Sequence, residues 1–261
     1  MYTNILVGSD PELFITSING DLISSCGLIG GTKENPRPID KAGCAVQEDN
    51  VAVEFNIPPA KTREEFTESL NYVLDYLSDF LHKKDLVLSC SASAVFPKDQ
   101  LKDPRALVFG CDPDYNAWTG KENPKPNAKN AALRSCGGHV HVGFDKPSKE
   151  TVDTLMQTLD LFLGVPSVLY DEDTARRQLY GKAGSFRYKP YGGEYRTLSN
   201  WWVKQTDFME YVYDQVHRAV AFLNSGTTIT RSDAKYIRKA INTSDKTMAE
   251  ALMANYNIIG V

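Results

Sequence analysis

No Cys-x-x-Cys spacing occurs among the five cysteines, Cys26, Cys44, Cys90, Cys111 and Cys136, and their number is odd. That pattern suggests neither a disulfide framework nor a zinc ribbon, and the cysteines read as reduced, mostly buried thiols. A surplus of basic residues is lacking too: 29 Lys and Arg face 33 Asp and Glu, for a formal net charge of -4. Dedicated nucleic-acid and anionic-membrane binders concentrate cations instead, so neither nucleic acid nor a membrane is an expected partner. Nowhere do about 18 apolar residues run together, as a membrane helix requires. The opening MYTNILVGSD has no basic segment followed by a long apolar stretch, so a cytoplasmic location is expected. Two phosphate-binding signatures are also missing, the GxxxxGK[ST] loop and a GxGxxG after a strand. Any nucleotide must then be held by metals and side chains rather than by a helix N-terminus.

What is present is an ordinary globular composition, 42% hydrophobic and 24% charged over 261 residues, which is enough for a real core. No repeat, low-complexity segment or linker divides the chain, so one domain over residues 1–261 is expected, with a helical C-terminal part from about 203. Asn4 to Phe14 reads as a strand interrupted by Gly-Ser-Asp-Pro, and Val51 to Ile57 alternates as a half-buried strand. Thr62 to Lys84 carries Phe66, Leu70, Val73, Leu77 and Leu81 at helical spacing, with Thr62 and Glu65 placed as a capping box. Alternation from Leu86 to Ala94 predicts another strand, and Phe96 to Asn130 predicts mostly loop. Further strands are expected at Gly138 to Phe144 and around Glu194 to Leu198, and a helix from about Lys149 to Leu163. Helices follow, one carrying Phe208 to Ala219 and two shorter ones between Ser232 and Tyr256. Strands separated by helices and long loops, without regular βαβ spacing, predict an antiparallel α+β sheet.

Chemistry concentrates in three places. Asp10, Glu12, Glu54 and Glu194 lie in or beside predicted strands, where a single acid is ordinarily solvent-facing but four together point to a site. His139 and His141 in CGGHVHVG share one face of a strand while Val140 and Val142 share the other. Several acids with one or two imidazoles fit a Mg or Mn nucleotide site better than a zinc site. The third cluster is basic: Arg176, Arg177, Lys182, Arg187 and Lys189, interleaved with glycines and aromatics. Such a run is commonly a solvated loop; fixed cations are also what a phosphoryl-transfer site needs against polyphosphate charge. Within Phe109 to Lys129, Asp112 and Asp114 flank Pro113 and are either turn residues or part of an amine or acceptor pocket.

In order, GSDPELF, AVEFNIPP, SCGGHVHVG, RRQLYGKAGSFR and GGEYRTLSNWW resemble the carboxylate-amine ligases of the glutamine synthetase and glutamate-cysteine ligase superfamily, most of all its phage-type COOH-NH2 ligase type 2 branch. The resemblance runs from about Gly8 to Asn200. It implies a curved antiparallel sheet of glutamine synthetase-like type with helices on its outer face, and a phage-encoded protein working in the host cytoplasm. It also implies that Asp10, Glu12, Glu54, His139 and Glu194 bind divalent metal, Mg2+ or Mn2+. His139, His141, Arg177, Lys182 and Arg187 would hold ATP, while Arg196, with Arg187 and Glu194, would serve the transferring phosphoryl group. Asp10 departs from the glutamate usual at its position, and Pro11 breaks the strand. A chain of this length lacks the separate N-terminal domain of dodecameric glutamine synthetases, so the whole site should fit in one subunit, with homo-oligomerisation left open.

The implied reaction joins a carboxylate to an amine, on a small molecule, a peptide or a protein side chain, through an acyl phosphate made from ATP. Two other classes compete: a metal-dependent hydrolase built on the HxH strand, and a non-catalytic nucleotide-binding relative. For the hydrolase, the aspartate of the metallo-β-lactamase pattern falls at Gly143 and the glutamate of the cupin pattern at Lys146.

Overall fold

The computed structural model describes residues 1–107, 114–124 and 130–261. The first strand prediction holds in outline: β1 (Leu6–Ser9) and β2 (Glu12–Ser17) are broken at Asp10-Pro11. Proline cannot donate to a ladder, and at this break the chain changes partners. Two short strands follow, β3 (Leu22–Ile23) and β4 (Arg37–Pro38), then the pair β5 (Ala45–Asp49) and β6 (Ala52–Asn56). Helix α1 (Arg63–His82) starts where predicted, with the Thr62 side chain accepting from the Glu65 N–H. The Glu65 carboxylate reaches the Lys61 N–H instead of closing the box on Thr62.

The strand predicted from Leu86 to Ala94 is two strands, β7 (Leu86–Ser89) and β8 (Ser93–Val95), in different sheets. Within the region expected to be loop lies a small hairpin, β9 (Tyr115–Asn116) and β10 (Lys121–Glu122); just after it comes β11 (Leu133–Ser135), which pairs with β8. The histidine strand is β12 (Val140–Gly143). Helix α2 (Lys149–Leu159) runs on through a π-turn at Asp160–Gly164 into α3 (Val165–Tyr170), beyond the predicted end at Leu163. By length and composition this 22-residue run could cross a membrane, but 78% of its apolar window is buried inside the fold. Helix α4 (Thr174–Leu179) and strands β13 (Ser185–Lys189) and β14 (Gly192–Tyr195) come next, then α5 (Thr206–Asn224), α6 (Arg231–Thr243) and α7 (Lys246–Asn255).

All strand pairings among the described residues are antiparallel. One six-stranded sheet has the order β1-β12-β14-β13-β9-β10; the other has β3-β2-β6-β5-β4, with β7 also on β2. The sheets meet where β1 passes into β2, and the Ile57 N–H donating to the Ser9 carbonyl and the Phe55 N–H to Pro11 tie β6 to that passage. The fold is thus α+β with a curled antiparallel sheet and helices against it, as expected. One face of the first sheet buries Val140, Val142, Phe186 and Tyr195 in the core. Helix α2 lies close to that face because Gly193 has no side chain: a Cβ there would meet Met156 Cε at 2.6 Å. Every side chain this packing turns away lands on the opposite face, which becomes the site.

Candidate functional site

Cross-strand register builds the site. His141 stands opposite Gly8 on β1 and Glu194 on β14, and Glu194 stands opposite Arg187 on β13. The period of two along a strand brings Lys189 to the same face as Arg187, and Arg196 to that of Glu194. In the second sheet Glu12 stands opposite Glu54, and Glu54 opposite Gln47, with Asp49 two residues along on the same face.

Two ligand clusters result. Asp10, His141 and Glu194 offer donor atoms all within 4.8 Å of one another, and so do Glu12, Asp49 and Glu54. In the first, Asp10 Oδ1 lies 3.0 Å from His141 Nε2 and 3.3 Å from His139 Nδ1. Burial pushes the Asp10 carboxyl up, but the imidazoles, His141 foremost, outweigh it and hold it well below the usual range. His139 is 4% exposed and its basicity drops to about 4 through burial and the nearby Arg196 guanidinium. His141 goes the other way, raised by Asp10 against the opposing effect of burial, and its Nδ1 shares a 2.5 Å hydrogen bond with the Tyr191 hydroxyl.

Glu194 is fully buried and surrounded by cations: Arg196 in direct contact, Lys189 Nζ at 2.8 Å and Arg187 Nη1 at 3.5 Å. Burial opposes its ionisation, yet Arg196 above all lowers it to about 2. The second cluster is the electrostatic opposite. Burial, then Asp49, raises Glu12 to about 7; burial, then Asp10, Asp49 and Glu12, lift Glu54 well above the usual range; and Asp49, exposed as a residue but with its carboxyl among these groups, is raised by desolvation and by Asp10. Three carboxylates within 4.8 Å repel by roughly 3 kcal/mol per ionised pair at an effective dielectric of about 20. Added positive charge would favour the ionised form of all three.

That deficit is the test of fit for a divalent ion, and Glu12, Asp49 and Glu54 pass it. Glu12, Asp49 and Glu54 form an all-oxygen set suited to a hard cation, while Asp10, Glu194 and the histidines form a mixed oxygen and nitrogen set. Asp10 Oδ1, buried, accepts no hydrogen bond of normal geometry among the described residues. The Glu12 backbone is fixed by the Asn200 side-chain amide, which donates to its carbonyl at 2.9 Å, and one Glu12 oxygen accepts from the Gly137 N–H at 2.7 Å.

The structure therefore brings together Asp10, Glu12, Glu54, His139, His141, Arg187, Glu194 and Arg196. Arg177 does not join them: its buried guanidinium donates to Ser167 and pairs with Asp171 at 3.3 Å, holding α4 to α3. Its neighbour Arg176 instead donates to the carbonyls of Arg196 and Thr197. Lys182 is exposed and forms no ion pair among the described residues, although its carbonyl accepts from Thr197. Asp49, Lys189 and Tyr191 are added to the site. Asp49 ends a short strand that the sequence pattern did not announce, and Tyr191 sits in a turn, where no periodicity announces it. Asp112 lies outside the described residues, and Asp114 is held by Asn123, whose amide N–H donates to its carbonyl.

Residues 129–233 match the family model described as phage phiEco32-like COOH.NH2 ligase-type 2. The resemblance read from the sequence is borne out over that segment, which carries His139, His141, Arg187, Glu194 and Arg196. No curated protein matches the chain. A solved structure titled as the first conformation of a GmaS/ADP complex is similar at 11% identity and a TM-score of 0.40, covering 99% of this chain and 71% of that one.

Proposed function

We propose that this chain is an ATP-dependent carboxylate-amine ligase that forms an amide through an acyl phosphate. The observation that carries the reading is the pairing of two acid clusters with a bank of cations on one sheet face: Asp10, His141 and Glu194 beside Glu12, Asp49 and Glu54, with Arg196, Arg187 and Lys189 against Glu194. Glu12, Asp49 and Glu54 would hold one Mg2+ or Mn2+, and Asp10, Glu194 and the two histidines, His139 and His141, another. Such ions supply charge neutralisation for a polyphosphate and alignment of its terminal group.

The chain's own groups do the rest. Arg196 and Arg187 stabilise the charge that develops on the γ-phosphoryl group as a substrate carboxylate oxygen attacks it and the bond to the bridging oxygen breaks, releasing ADP. An amine then bonds to the acyl carbon, phosphate leaves, and the amine's surplus proton is lost. The site needs no mobile proton for the first half, because an ionised carboxylate is already the nucleophile.

Incubating the protein with Mg-ATP and a cell extract, and following products by mass spectrometry, tests this reading. A new amide formed together with ADP and phosphate is expected. Turnover of an amide or ester without ATP would replace the ligase by a hydrolase, and tight Mg-ATP binding without ADP release would leave a non-catalytic relative.

A further inference from the structure

Arg196 is the cation in direct contact with Glu194, and two buried charges elsewhere in the chain grip the backbone on either side of it. Asp160, with no exposed surface, is the first residue of the π-turn. Its Oδ1 accepts from the Tyr195 hydroxyl at 2.7 Å and from Thr197 Oγ1 at 3.3 Å, and its Oδ2 accepts from Trp118 Nε1 at 2.6 Å. Arg176, 3% exposed, donates Nη2 to the Arg196 carbonyl at 3.2 Å and Nη1 to the Thr197 carbonyl at 3.1 Å. The Arg196 N–H donates to the Ser185 carbonyl. Residues 195, 196 and 197 are thus held by an anion at two side chains and by a cation at two carbonyls.

The local sequence is arranged for this grip. The π-turn closes with the Val165 N–H donating to the Asp160 carbonyl five residues back, just before Pro166, which has no N–H to offer. At position 164 a Cβ would come within 2.6 Å of the Tyr195 hydroxyl and 3.3 Å of Asp160 Oδ1, so Gly164 leaves room for the bond between them. Trp118 brings in the β9–β10 hairpin, and the Arg238 guanidinium lies over its ring at 5.6 Å. A neutral acceptor would satisfy the same donors less strongly, because hydrogen bonds to an ionised carboxylate are roughly twice as strong as neutral ones.

We propose that Asp160 is a positioning residue for the reaction: with Arg176 it fixes the Tyr195–Thr197 backbone so that the Arg196 guanidinium stays beside Glu194 and His139. This rests on the ligase reading above. A displacement of about 1 Å at such a group can lower turnover by on the order of 100-fold. Asp160 acts on the reaction only through Arg196, and that dependence separates positioning from simple core stabilisation.

The experiment is a double-mutant cycle of Asp160→Asn and Arg196→Lys, with Tyr195→Phe as a second way to loosen the grip while leaving the buried carboxylate in place. ADP release and amide exchange are measured in the Mg2+-loaded protein. Asp160→Asn keeps the size but presents an amide N–H to one of its donors. It should lower kcat at least tenfold, change KM for ATP less than twofold, and speed exchange of the Arg196 amide about tenfold. In the Arg196→Lys background the same change should cost less than a further twofold. Multiplicative losses in the double mutant, or an Arg196 amide that exchanges at the wild-type rate in both Asp160→Asn and Tyr195→Phe, would overturn the proposal. If the wild-type protein itself releases no ADP, the ligase reading fails, and the exchange rate of the Arg196 amide alone decides whether Asp160 fixes this segment.

Discussion

Asp10 and Glu12 stand on either side of Pro11 and belong to different acid clusters, Asp10 with His141 and Glu194, Glu12 with Asp49 and Glu54. The break between β1 and β2 is what allows this. A regular strand would send both to one row, whereas here each is delivered to a separate cluster.

The first prediction follows from that division of labour. Glu12→Gln and Glu54→Gln should each lower Mn2+ affinity and turnover by at least 10- to 100-fold, the range typical of even indirect supports of a metal site. Titration calorimetry with Mn2+ and an ADP-release assay check this, with circular dichroism to confirm folding. Wild-type metal affinity in either variant would remove that residue from the cluster.

Much of this was legible beforehand because it follows from period and order. Val140 and Val142 facing the core oblige His139 and His141 to face the site, and Val53 and Phe55 do the same for Glu54. The basic segment was harder. Arg176 and Arg177 are adjacent on a helix, so neither spacing nor composition says which one reaches the site strand; packing sends Arg177 to Ser167 and Asp171 and Arg176 to the Arg196 carbonyl. The helix runs on past Gly164 and Pro166, residues that ordinarily interrupt one, because a π-turn precedes the proline and its missing N–H. Asp49 was hidden by its position at a strand end, where alternation carries little weight.

A second prediction concerns pH in the metal-free protein. Glu12 is raised from 4.5 to about 7, so the folded state retains a proton that the unfolded state releases across that interval. The contribution of this carboxyl to stability therefore falls as pH rises from about 5 to 7, and levels off above. Glu12→Gln cannot ionise, so its Tm should rise relative to wild type over that interval. Saturating Mg2+ should reverse the order at pH 8, because the ion binds the ionised carboxylates. A Tm difference independent of pH would contradict the assignment.

The two histidines should differ. His139 is buried and lies near Asp10, Glu194 and Arg196 at once, at 3.3, 3.7 and 3.4 Å, whereas His141 spans Asp10 and Tyr191. His139→Ala should reduce turnover about tenfold more than His141→Ala. Steady-state kinetics on both variants settles the order, and equal losses would deny His139 its special place.

Glu194 and Arg196 are in contact, which by itself is compatible with a structural ion pair. Function would divide them. Glu194→Gln should weaken Mg-ATP binding, while Arg196→Lys should leave binding within about twofold and lower kcat by on the order of 100-fold, since lysine lacks the planar fork. Normal turnover per folded molecule in Arg196→Lys, with a lowered Tm alone, would identify the pair as structural.

The most direct measurement is isotope transfer from substrate to phosphate. Once a carboxylate substrate is identified from the extract, it is prepared with 18O in its carboxylate and incubated with Mg-ATP and the amine. A ligase working through an acyl phosphate delivers one 18O to each inorganic phosphate, with one ADP and one amide formed per phosphate. Unlabelled phosphate accompanying amide formation would contradict the account.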